Sequence, residues 1–181
     1  MTIQTGAVSF QSGKSTLEAY LATPEGRGPH PAVVVIHEIF GLNANIRDIA
    51  RRFAQEGYVA LAVDLFAGRN RMVCMFRFMG GTLTNSLNHQ GIKDLKAALT
   101  YLTQQPRVDA QRLGAIGFCL GGGFAISWAC TDDRLKVVAP FYGINPRPLT
   151  AVSGPVSTRP GTGSPPAGGR TCPPGGAAIG G

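Results

Sequence analysis

No histidine follows position 89 in this sequence of 181 residues, and the chain holds three in all, His30, His37 and His89. No Cys-x-x-Cys pair occurs either. The four cysteines, Cys74, Cys119, Cys130 and Cys172, are irregularly spaced. That spacing supports neither a zinc site nor a redox pair, and it reads mostly as reduced, buried or incidental thiols. No metal site is expected. Long hydrophobic runs are missing as well. The longest apolar stretch, "PAVVVIHEIFG", falls far short of the ~20 residues of a membrane-spanning helix. The opening "MTIQTGAVSFQSGKS" lacks a basic segment followed by an apolar one, so no signal peptide is expected and the expected compartment is the cytoplasm. Acidic residues are scarce. Ten Asp and Glu stand against 17 Lys and Arg, for a formal net charge of +7. The basic residues are scattered, as Arg47, Arg51, Arg52, Arg69, Arg71 and Arg77, without the aromatic-basic pattern of a nucleic-acid module. They read as a solvated positive surface, so neither nucleic acid nor membrane is an expected partner.

What is present is an alternation of strands and helices in a chain long enough for one domain. The runs "AVSFQ" and "LEAYLA", separated by "SGKST", predict an opening hairpin. "AVVVIH" (32–37) is a β-branched run of the kind buried on both faces of a parallel sheet. Ile46, Ile49, Ala50, Phe53 and Ala54 share one helical face, with Asn43 or Asn45 as cap and Gly57 as stop. "YVALAVDL" (58–65) is the next strand. Ile92, Leu95, Leu99 and Leu102 keep helical spacing, and Pro106 ends that helix. "RLGAIGFC" and "LKVVAPFYG" (135–143) are two further strands, and "GGGFAISWAC" between them is an uncharged helix packed deep in the fold. Such alternation implies a mostly parallel sheet with helices on both faces. With no strand periodicity after residue 152, the last of these strands is expected at an exposed edge. Residues 154–181 hold 9 Gly and 6 Pro among 28 and no Asp, Glu, Lys, His or aromatic residue. A disordered tail is therefore expected over 153–181, after a folded domain over 1–152.

The candidate chemistry lies in "GFCLGGG" (117–123). Gly-x-Cys-x-Gly at a strand-to-helix junction sets a nucleophile on a turn so tight that its neighbours must lack side-chain bulk, hence Gly117 and Gly121. Cys119 then stands at the C-terminal end of the sheet. The amide of Leu120 stands beside it at a helix N-terminus, which favours a thiolate and an acyl-transfer oxyanion. The three glycines do not make a nucleotide-binding loop, because no Gly-x-Gly-x-x-Gly follows the first parallel strand.

Three stretches together, "VIHEIFGLNANIRDIARRFAQEGYVALAVDLF", "GFCLGGGFA" and "VVAPFYG", resemble the dienelactone hydrolase (carboxymethylenebutenolidase-like) family of α/β-hydrolases. The resemblance runs to about residue 152. It implies an α/β-hydrolase fold and a small lactone or ester substrate cleaved through a cysteine nucleophile without a cofactor. It further implies Cys119 as that nucleophile and Glu38 as the glutamate that meets the thiol and helps to generate the thiolate. The backbone amides of Ile39 and Leu120 would form the oxyanion hole. An unactivated thiol, with a pKa near ~8.5, is mostly protonated at neutral pH, so such help is needed. Family members bind a substrate carboxylate through arginine. Arg77, in "CMFRFMGG", lies in the corresponding part of the chain, with Arg69 and Arg71 as competitors.

The sequence departs from the family pattern after Cys119. The family order is nucleophile, acid, histidine. None of His30, His37 and His89 matches the catalytic histidine. His30 is expected to be exposed, His37 structural or pocket-lining, and His89 near a helix start. Asp132 and Asp133 come one strand too early for the acid. The fold is therefore expected to lack its last strands. The tail composition is what GC-rich DNA yields when read out of frame. The alternative expectation is thus a truncated or frameshifted, catalytically incomplete product without turnover.

Overall fold

The computed structural model describes residues 1–66 and 89–143. Among these residues six strands form one sheet in the order β1-β2-β4-β3-β5-β6. β1 (Ile3–Ser12) and β2 (Ser15–Pro24) are the expected hairpin, joined at Gly13-Lys14. Gly13 sits at φ +60, as a two-residue turn matched to strand twist requires. β2 pairs antiparallel with β4 (Val59–Val63). β4, β3 (His30–Ile36), β5 (Val108–Phe118) and β6 (Leu135–Phe141) run parallel.

The sheet is covered on both faces. Val33 and Val35 of β3 join Ala60, Ala62 and Ile116 against α1 (Ala44–Gln55), which buries Ile46, Ala50 and Ala54. The Asn43 side chain accepts the Ile46 N–H at 3.0 Å and settles the choice of cap. Val34 and Ile36 point the other way, with Leu61, Val63, Leu113 and Ala115. They meet α2 (Gln90–Thr103), which buries Ile92, Leu95, Leu99 and Leu102, and α3 (Leu120–Ala129), which buries Phe124, Ala125 and Trp128. Each large side chain buried this way stabilises the fold by ~1.5–3 kcal/mol. The period-two alternation of β3 thus feeds two separate cores, as its unbroken apolar run implies.

Within each parallel unit the helix returns to the start of the next strand. The C-terminal ends of β3, β5 and β6 therefore share one edge of the sheet, and the loops that leave them share one space. Among the described residues β6 lies at the end of the strand order, and Val137 is 65% exposed. Arg69, Arg71, Cys74, Arg77, Cys172 and the tail over 153–181 lie outside the described residues. Among the described cysteines, Cys119 is free, whereas Cys130 is disulfide-bonded rather than reduced as expected.

Candidate active site

β5 ends at Phe118 and α3 begins at Leu120, so a single residue, Cys119, makes the junction. Its backbone stands at φ +54 and ψ −114. A non-glycine residue held there costs ~1–3 kcal/mol, and surrounding structure must enforce it. The enforcement is legible in close approaches. A Cβ on Gly117 would lie 2.1 Å from the Gly121 carbonyl oxygen. One on Gly121 would lie 2.5 Å from the carbonyl oxygen of Ile36 and 2.7 Å from that of His37. The spacing Gly-x-Cys-x-Gly therefore lets the strand fold back on the helix and lets the helix press against β3. The Cys119 carbonyl accepts the N–H of Gly122 at 3.0 Å and of Gly123 at 3.3 Å. The Cys119 N–H donates to the Phe141 carbonyl at 3.0 Å.

Glu38 follows β3 by two residues. Ile36 pairs with Gly117, so Glu38 and Cys119 leave neighbouring strands at the same edge. Both are half-buried. The third strand end supplies Tyr142, whose O–H donates to Glu38 Oε1. Tyr142 is exposed and holds a positive φ of +40. The Glu38 hydrogen bond foremost, then burial and the charges of Glu38 and Cys119, raise the Tyr142 phenol above its ordinary pKa. Tyr142 directly follows Phe141, whose carbonyl accepts the Cys119 N–H, so Cys119, Tyr142 and Glu38 leave three adjacent strand ends. Sequence reading passed over Tyr142. Its only signal was its place directly after a strand end, in the motif Phe141-Tyr142-Gly143. The main-chain N–H groups of Ile39 and Leu120 meet no acceptor among the described residues. That of Leu120 opens α3, where the helix dipole is positive.

The histidines are otherwise engaged. His37 is buried, and its Nε2 accepts the Leu65 N–H at 3.0 Å. That nitrogen carries no proton, so the proton is on Nδ1, which donates to the Glu38 carbonyl. The ring also packs on Phe66, with centroids 4.8 Å apart. His37 is thus a structural strut under Glu38. His89 is the N-cap of α2, its Nδ1 accepting the Gly91 N–H at 3.0 Å, and it packs against Phe124. His30, expected to be exposed, is half-buried at the start of β3, because its N–H is drawn to the Arg107 carbonyl at 2.7 Å. That end of the sheet is opposite to Cys119. Asp132 is at the opposite end as well, since α3 runs from Cys119 back to the start of β6. There it accepts Trp128 Nε1 at 3.0 Å and pairs with Arg134 at 2.7 Å. Burial alone would raise its pKa, but the hydrogen bonds from Arg134 and Trp128 and the Arg134 charge bring it below the usual carboxylate value.

Among the described residues no group of His, Cys, Asp and Glu is arranged to hold a metal ion. None of their helices is long and apolar enough to cross a membrane. Arg77, expected to bind substrate, lies outside the described residues. A groove of about 430 Å³ runs along the α1 face beside β5 and β6, lined by Val33, Phe53, Tyr58, Ile116 and Val137 among others. Cys119 and Glu38 do not line it, and its apolar walls carry no nucleophile.

The family model of the dienelactone hydrolase family matches residues 17–159. A carboxymethylenebutenolidase-like protein of Saccharolobus solfataricus is 34% identical over 80% of this chain and 68% of its own. Among solved structures, a dienelactone hydrolase-like protein from Klebsiella pneumoniae superposes with a TM-score of 0.68 at 33% identity, over 79% of this chain and 61% of its own. A dienelactone hydrolase-like promiscuous phosphotriesterase from metagenomic libraries superposes with a TM-score of 0.69 at 30% identity, over 78% of this chain and 59% of its own. The chain spans between 48% and 68% of the length of the first three relatives it matches. The chain belongs to the dienelactone hydrolase family, and its fold is that of an α/β-hydrolase.

Proposed function

We propose that this member of the dienelactone hydrolase family cleaves a small ester or lactone by acyl transfer to Cys119. The observation that carries the reading is the Cys119 backbone, held at φ +54 between Gly117 and Gly121 where β5 turns into α3. Strain of this kind gathers where a reacting group must be presented rather than packed. In the proposed reaction Glu38 takes the thiol proton and the sulfur attacks the carbonyl carbon. The carbonyl oxygen gains charge and accepts the free N–H groups of Ile39 and Leu120. The carbon–oxygen bond then breaks, the leaving oxygen recovers a proton from Glu38, and a thioester remains. Removing one such oxyanion donor costs ~10²–10³-fold in rate in enzymes of this type. No cofactor or metal takes part. Arg77 is proposed, by family resemblance, to receive a substrate carboxylate.

A second reading concerns turnover. Deacylation needs a base for the attacking water. His37 spends both nitrogens within the fold, and His89 spends Nδ1 on a helix cap. On this reading the chain forms the thioester but releases it slowly.

p-Nitrophenyl acetate tests both. A stoichiometric burst of p-nitrophenolate, with acetyl mass on Cys119 and a slow steady state, is the expected result. Cys119→Ala must abolish burst and mass shift together. A Cys119→Ala protein that still bursts would overturn the nucleophile assignment. A steady state with kcat/KM at or above ~10⁴ M⁻¹s⁻¹ would overturn the slow-release reading.

A further inference from the structure

Cys119 and Tyr142 are the two non-glycine residues at positive φ among the described residues. They are joined through the Cys119 N–H to Phe141 carbonyl bond, and with Glu38 they follow the ends of β3, β5 and β6 at one sheet edge, Cys119 on the middle strand. We propose that Tyr142 is a positioning residue for Glu38. Its hydroxyl occupies Oε1 and leaves Oε2 as the oxygen that takes the Cys119 proton in the proposed reaction. The inference rests on the acyl-transfer reading above and names a residue that reading does not contain.

Four observations support it. Glu38 lies on a loop only two residues past β3, and its neighbours Ile39 and Phe40 are exposed. A carboxylate on such a loop gains order from a hydrogen-bond partner on another strand. The Tyr142 hydroxyl is bonded to Oε1. The Tyr142 backbone pays for that place with a left-handed conformation, at φ +40. Finally, an aromatic cluster steadies the ring. Phe118 stacks on Phe141 with centroids 5.2 Å apart, and it lies 6.5 Å from the Tyr142 ring. The upward shift of the phenol follows from the same bond and keeps the donor proton in place across neutral pH.

With one oxygen held, the carboxylate keeps a single rotation about its last bond. The other oxygen then meets the thiol proton without first being ordered, which is what pre-organisation contributes to proton transfer. The phenol is neither acid nor base in the step. The proton moves from sulfur to Glu38, and the tyrosine keeps its own.

The test is the rate at which Cys119 is acetylated by p-nitrophenyl acetate, followed by mass, in the full chain. Tyr142→Phe should slow acylation by roughly three- to tenfold, the factor carried by one hydrogen bond of ordinary net strength. The half-saturating ester concentration should stay unchanged, because Tyr142 acts on Glu38 and not on substrate. Tyr142→Gly removes the hydroxyl and relieves the backbone strain, and it should slow acylation in the same direction. In a Glu38→Gln background, Tyr142→Phe should have no further effect. The inference is overturned if Tyr142→Phe acylates like the parent, if only the half-saturating concentration moves, or if its effect persists with Glu38→Gln. If Glu38→Gln alone leaves acylation untouched, the acyl-transfer role of Glu38 falls, and this inference with it.

Discussion

The Cys119 N–H donates to the Phe141 carbonyl at 3.0 Å, which ties the strained junction of β5 and α3 to the end of β6. Gly122 lies beneath this bond. A Cβ there would stand 2.8 Å from the Phe141 carbonyl oxygen and 2.9 Å from Gly143 Cα. Both are backbone atoms, which cannot rotate aside.

Gly122→Ala should therefore force β6 away from Cys119. Overpacking of this kind costs ~1–3 kcal/mol. The expected outcome is a lower melting temperature together with at least ~10-fold slower acylation of Cys119, since ångström-scale misplacement of reacting groups costs up to ~100-fold. A variant that melts and acylates like the parent would mean that the junction does not depend on its tie to β6.

Cys119→Gly should move stability in the opposite direction. The residue sits where glycine pays no steric penalty, and Cys119 is only half-buried, so little packing is lost. Relief of strain should raise stability by about 1 kcal/mol, read as a higher denaturant midpoint at unchanged slope. A lower midpoint would show that the φ of +54 is not stored strain.

The junction was legible because its constraints are local: a buried strand, two glycines four residues apart and an apolar helix leave few conformations for Cys119. The caps were legible for the same reason, with Asn43 and Gly57 bracketing α1. Tyr142 was not. Its contact with Glu38 crosses three strand ends and depends on the order β3-β5-β6, which no sequence spacing encodes. His37 was expected to be structural or pocket-lining, and only the topology shows which: it supports the loop that carries Glu38. Asp132 was set one strand too early for the acid, and the topology places it at the far end of the sheet, bonded to Trp128 and Arg134.

Asp132 supports a pH prediction. Its folded-state pKa lies below the unfolded value because Arg134 and Trp128 outweigh its burial. A carboxylate shifted this way contributes its full stability above the unfolded pKa, near ~3.9. The contribution is lost as pH falls through the lower folded value. Asp132→Asn should thus destabilise by ~1–3 kcal/mol at pH 7, the cost of a lost charged hydrogen bond at a buried site. The gap between parent and variant should narrow as pH drops below ~4. Equal melting at pH 7, or a gap that widens in acid, would contradict the structural role assigned to this residue.

The last prediction concerns the sheet edge. Among the described residues β6 ends the strand order, with Val137 65% and Phe141 48% exposed, beside the 430 Å³ apolar groove. An exposed edge that carries apolar side chains is a template for pairing with another chain, and a charge on such a strand blunts it. Val137→Glu removes little buried area. It also places an anion beside Lys136 and Arg112, which line the same groove. Aggregation of the full chain, followed by light scattering against time and concentration, should slow in this variant. Its stability should remain within ~0.5 kcal/mol of the parent, as for other exposed substitutions. Phe141 is left intact, so the tie to Cys119 persists and acylation should proceed at the parental rate. A parent that stays monodisperse at high concentration, or a variant that aggregates as fast as the parent, would mean that another surface governs association and that this edge is covered in the intact chain.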